Sequence, residues 1–198
     1  MERNNAQIRR LRIDTPNFRV EDSTDSTQLP ALIGYAALFD VVTDLGFCTE
    51  SVAPGAFTES IQRDDVRALF NHDPNYVLGR NTAGTLDLAE DDKGLLATIR
   101  PPDNSLGKDI VTLIKRKDVS QMSFGFYVEE EEGRFEENKK PHFLLKKVRL
   151  FDVSPVTFPA YEETEIDVKR AVRYRQDYID ARAEFEKRKR EIKLLTLC

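Results

Sequence analysis

Short runs with a two-residue hydrophobic period recur along this chain, and turn formers close most of them. Such runs pack as strands with one face inward. In ALIGYAALFDV, Ile33, Tyr35, Ala37 and Phe39 fall on one face. VLGRNTAGTLDLAEDDKGLLATIRPP reads as two or three antiparallel strands that turn at NTAG and EDDKG. QMSFGFYV puts Met122, Phe124, Phe126 and Val128 on one face, with Ser123 and Gly125 on the other. FLLKKVRLFDVSPVTFPAY is a long strand region, expected to break at Pro155 and end at Pro159. Further strands are expected near Arg10–Ile13, Phe47–Ser51 and Val66–His72, the last closed by Pro74. Helical spacing marks AFTESIQR, behind Pro54 and Gly55, and SLGKDIVTLIKRKD, capped by Asn104. The sum predicts a mainly β fold with peripheral helices (α+β). A small, closed or nearly closed antiparallel β-barrel would leave few strand edges bare.

The 198 residues suit one domain plus tails. We expect a polar N-terminal tail over 1–28, a barrel domain over 29–166 and a charged C-terminal helix over 167–198. That helix carries only a thin stripe of Tyr174, Tyr178, Ala181 and Phe185, which suits an appendage better than a core element. EEEEGRFEENKKP reads as a charged loop. A formal net charge of -5 does not favour nucleic acid. No apolar run approaches the roughly 20 residues that span a bilayer, so no membrane partner is expected. MERNNAQIRRLRID lacks the apolar segment of a secretory signal, and two cysteines, Cys48 and Cys198, fit a cytosolic setting. No phosphate loop, dinucleotide fingerprint or Cys/His cluster is present, so neither cofactor nor metal is expected.

With only two histidines, any imidazole chemistry falls to His72 or His142. His72, in FNHDP at a strand end, could take a proton from a hydroxyl near neutral pH; it could equally bond the turn backbone. His142, in KKPHFLL beside the charged loop, reads as exposed. Ser123 is a candidate nucleophile if a base accepts its proton, and Gly125 would leave room for a substrate backbone on the same face. Alternatively, Ser and Gly simply allow close packing there. Ser120, in phase with Met122, suits a buried, backbone-bonded role. Asp152, an acid inside an apolar strand, needs a partner, either a histidine that becomes charged or a nearby Lys or Arg. Asp73 reads as a turn cap. Cys48 has no electropositive setting visible in the sequence to activate a thiol.

Six segments together resemble a known family: GYAALFD, ESVAPGAFTESI, VRALFNHDPNYVLGR, GLLATI, QMSFGFYV and VRLFDVSPVTFPAY. In this order, over roughly residues 30–165, they are similar to the prohead (capsid maturation) proteases of tailed bacteriophages. The resemblance implies a serine endopeptidase with a barrel of the herpesvirus-protease type. It implies His72 as general base, Ser123 as nucleophile and Asp152 as third member, with His142 as the alternative. It further implies the major capsid protein and its scaffolding segment as partners, inside the immature prohead in the host cytoplasm. Self-cleavage and, by analogy, a homodimer also follow from it. For the oxyanion donors, Gly79 and Arg80, or the loop after Pro155, are the expectation. A different class of function is an inactive assembly module that keeps the barrel.

Overall fold

The computed structural model describes residues 18–22, 28–45, 48–134, 139–158, 180, 183–184 and 186–189. In chain order its elements are β1 (Arg19–Glu21), β2 (Ala31–Leu38), β3 (Thr43–Asp44), β4 (Thr49–Val52), α1 (Thr58–Arg63), β5 (Arg67–Phe70), β6 (Asp73–Arg80), β7 (Leu86–Glu90), β8 (Gly94–Ile99), α2 (Ser105–Lys115), β9 (Gln121–Arg134) and β10 (His142–Val156). The strand expected near Arg10–Ile13, Phe47, Cys198 and most of the expected helix over 167–198 lie outside the described residues. Positions 180, 183–184 and 186–189 are helical, and Arg188 bridges Glu184 one turn back.

The chain is mainly β with a few helices, as its hydrophobic period predicts. Pairing among the described residues forms two sheets, one ordered β1-β2-β8-β7 and the other β3-β4-β10-β5-β6, with β9 also on β10. The first sheet is antiparallel throughout. The second departs from the antiparallel expectation, because β4 and β5 both run parallel to β10. β9 takes one edge of β10 from His142 to Val156, so β4 and β5 share its other edge in succession. A strand of this length can serve several short partners, and sequence periodicity does not reveal their direction.

Inner faces carry the core. Phe124 and Phe126 stack at 4.8 Å, and Phe57 meets Phe124 edge-on at 5.4 Å. Leu32, Leu95, Ile99, Leu145 and Val153 fill the space around them, all fully buried. Asn104 caps α2 as expected, its Oδ1 accepting from Gly107 N–H at 2.9 Å, and Ile110, Val111 and Ile114 face inward.

Four local expectations are corrected. β1 lies within the expected tail, where Phe18 and Val20 pack on the core and Arg19–Glu21 pair with β2. The expected charged loop is instead strand as far as Arg134; Lys146 on β10 meets Glu130 and Glu132 across the pair, offsetting the poor strand propensity of Glu. Pro74 does not end the strand region. It lies in β6, the outermost strand, in a bulge where pairing jumps from Phe70↔Asp73 to Leu69↔Val77. Pro155 does not break β10 either. Its carbonyl accepts from Asn71 N–H at 3.0 Å, so its missing N–H lies on the edge where β5 has already given way to a turn.

Candidate active site

β10 carries Asp152 and Ser154 two residues apart, so both side chains leave the same face. Val153 between them points into the core. On one edge, β9 places Gly125 opposite Asp152 and Ser123 opposite Ser154. On the other edge, β5 runs out at Phe70 and a tight turn brings His72 over the same face.

That turn is strained in a defined way. Asn71 and His72 are the two loop residues of the β5–β6 hairpin, and both have positive φ, 55° and 59°. A two-residue hairpin of this kind needs left-handed backbone at both positions, which Asn and Gly usually supply. A histidine there costs about 1–2 kcal/mol. Tertiary bonds hold it: Asn71 N–H donates to Pro155 O, Thr157 N–H donates to Asn71 Oδ1 at 2.9 Å, and His72 N–H donates to Ser154 Oγ at 3.3 Å. His72 thus belongs to the turn itself rather than to the strand end predicted by alternation. Asp73 makes the expected turn bond, accepting from Asn75 N–H at 2.8 Å. Further along the hairpin, Arg80 and Arg67 grip Asp65; the Arg80 hydrogen bonds lead in drawing its carboxyl down to about 2.

The turn delivers an imidazole to an acid. His72 Nδ1 lies 2.6 Å from Asp152 Oδ2, with both side chains almost wholly buried. An ionised carboxylate only accepts, so Nδ1 is the nitrogen that donates here, and in a neutral ring the lone pair then lies on Nε2. Ser154 O–H donates to the same Oδ2 at 2.7 Å. Among the described residues no Arg or Lys takes the alternative place beside Asp152: Arg67, opposite it on β5, turns to Asp65 at 3.0 Å. Three buried atoms on this face have no hydrogen-bond partner among the described residues: His72 Nε2, Ser123 Oγ and Asp152 Oδ1. A buried hydroxyl and a buried ring nitrogen left unsatisfied are costly for the fold, and such groups concentrate where chemistry is done.

Profile comparison places residues 17–177 in one family, described as caudovirus prohead serine protease. The chain belongs to that family. Membership indicates a serine peptidase with a role in tailed-phage capsid maturation, placed inside the prohead in the host cell. No curated protein and no solved structure matches the chain. No described helix is long and apolar enough to cross a membrane.

Against this family background, the structure sorts the candidate residues. It brings His72, Asp152 and Ser123 to one face of one sheet. It leaves His142 at the opposite end of β10, ten residues from Asp152, or about 30 Å along an extended strand. There, both ring nitrogens of His142 meet hydroxyls, Nδ1 with Thr49 Oγ1 at 2.9 Å and Nε2 with Ser51 Oγ at 3.0 Å. Ser120 is exposed rather than buried. Gly125 serves the acid and not a substrate backbone: a Cβ there would sit 2.0 Å from Asp152 Oδ1. Two proposed oxyanion donors are already committed, Arg80 N–H to Thr85 Oγ1 and Thr157 N–H to Asn71 Oδ1, each at 2.9 Å. Ser154 is a member of this face that has no counterpart among the sequence candidates. The signal was present in LFDVSP, since a polar residue two positions from a buried acid shares its face of a strand.

Proposed function

We propose that this chain is a serine endopeptidase that cleaves the scaffolding segment of the major capsid protein, and itself, within the immature prohead. His72 is the general base, Ser123 the nucleophile and Asp152 the residue that orients the base. The observation that carries this reading is the 2.6 Å contact between His72 Nδ1 and Asp152 Oδ2, made on the face that also presents Ser123. It supports the neutral tautomer in which Nε2 can accept a proton.

In the first half-reaction, Ser123 Oγ attacks the scissile carbonyl while its proton passes to Nε2. The tetrahedral intermediate collapses as Nε2–H protonates the leaving amine, and an acyl-enzyme remains. Water, deprotonated by the same nitrogen, then releases the acyl group and restores the serine. Asp152 stays ionised and stabilises the imidazolium. Ser123 is only 1 % exposed and its Oγ is not bonded to Nε2. Substrate entry therefore requires side chains over this face to part and the serine–histidine bond to tighten, as is usual between free and substrate-bound enzymes. The same reading gives the protease domain a barrel of the herpesvirus-protease type and has the chain work as a homodimer.

The test is co-expression with the cognate capsid protein. Ser123→Ala and His72→Ala are each expected to leave that protein full length. Normal processing by Ser123→Ala would remove the assignment. A second reading, an inactive assembly module, draws on the burial of Ser123. Labelling of Ser123 by a fluorophosphonate during processing separates the two.

A further inference from the structure

Ser154 takes no part in the reaction just described, yet it touches both partners of the charge pair. Its O–H donates to Asp152 Oδ2 at 2.7 Å, and its Oγ accepts from the His72 backbone N–H at 3.3 Å. It is fully buried, at 0 % exposure. We propose that Ser154 is a positioning residue that joins acid and base into one unit, acting through the Asp152 carboxylate and the His72 backbone and not on substrate. Its effect on rate rests on the catalytic reading above; its effect on geometry does not.

Three features support the assignment. An aspartate carboxylate rotates in a broad, nearly two-fold well, so packing alone seldom chooses which oxygen faces a partner. Here rotation is closed on both sides. Oδ1 lies against the backbone of Gly125, where a Cβ would come within 2.0 Å, and Oδ2 receives the Ser154 hydroxyl. The carboxylate plane is thereby held with one oxygen toward the His72 ring. Second, the hydrogen bond from His72 N–H joins those of Asn71 in holding a left-handed residue, at φ 59°, against relaxation. Relaxation would swing the imidazole away from the strand. Third, Ser154 stands directly opposite Ser123 across the β9–β10 pair. Facing side chains in such a pair have Cβ atoms about 5 Å apart. The residue that fixes acid and base is thus also the nearest cross-strand neighbour of the nucleophile. A serine kept only to fill a strand would bond locally; this one bonds to an acid and to a backbone 82 positions away.

The experiment uses the full chain as wild type, Ser154→Ala and Ser154→Thr, with circular dichroism to establish folding. The first readout needs no turnover. It is the proton NMR signal of His72 Nδ1–H, read for shift and for exchange with solvent. Ser154→Ala is expected to exchange this proton at least tenfold faster, and Ser154→Thr, which keeps the hydroxyl, to restore it. An unchanged signal in folded Ser154→Ala overturns the proposal. Should Ser154→Ala fail to fold, Ser154→Cys, close in size but a weak hydrogen-bonding group, is read by the same criterion. The second readout is the rate of fluorophosphonate labelling at Ser123, expected to fall roughly 10- to 100-fold in Ser154→Ala for a base displaced by about 1 Å. A wild-type rate in Ser154→Ala likewise overturns the proposal. If the wild-type chain co-expressed with capsid protein neither processes it nor labels at Ser123, but Ser154→Ala still loosens the Nδ1 proton, the peptidase reading fails and the positioning role stands.

Discussion

Replacing Gly125 by alanine tests the site through a single methyl group. The general rule for a glycine without positive φ is that alanine stabilises, by about 0.4–1 kcal/mol, because the unfolded chain loses freedom. The structure predicts the opposite sign. The new Cβ would lie 2.0 Å from Asp152 Oδ1 and 2.5 Å from Phe151 Cε2. To regain ordinary contact near 3.5 Å, the carboxylate has to retreat by about 1.5 Å. The 2.6 Å bond to His72 does not survive a shift of that size. Overpacking costs about 1–3 kcal/mol and loss of a charge-assisted hydrogen bond about 1.5–3 kcal/mol more. For a chain of this size the sum corresponds to a fall in melting temperature of roughly 10 °C. With the base unoriented, labelling of Ser123 and capsid processing should drop by up to roughly 10⁴-fold, the scale seen when the acid of other serine peptidases is neutralised. Calorimetry and a labelling time course measure both. A Gly125→Ala chain that melts at or above wild type and labels normally would refute the placement of Asp152 against β9.

Asp152→Asn should slow processing as strongly as Gly125→Ala, whereas His142→Ala should leave it within about twofold, because His142 lies at the far end of β10; gel analysis of capsid protein in co-expression compares the two. Asp65→Asn should flatten the acid limb of stability. The folded carboxyl is held down at about 2, chiefly by Arg80, so its contribution is fully present above the unfolded value near 3.8 and is lost as pH falls through about 2. Melting temperatures from pH 5 to 2 should therefore slope less in Asp65→Asn than in wild type.

Strand positions and the α2 cap were legible because a period of two and a capping asparagine are local properties of the chain. The family's six segments pointed to His72, Ser123 and Asp152 for the same reason. Other features depended on partners far away in sequence. Charged Glu129–Arg134 pairs as strand along β10, where Lys146 meets Glu130 and Glu132 across the pair, and Pro74 is accommodated in a bulge of the edge strand β6. The parallel pairing of β4 and β5 with β10, the left-handed backbone of His72, the carboxylate filling the space at Gly125 and the hydrogen bond from His72 N–H to Ser154 Oγ are all agreements between segments tens of residues apart. Local propensity settles which residues can be strand, turn or cap. Which side chains meet is decided by register and by the order of strands in the sheet, and those are set only when the whole core packs.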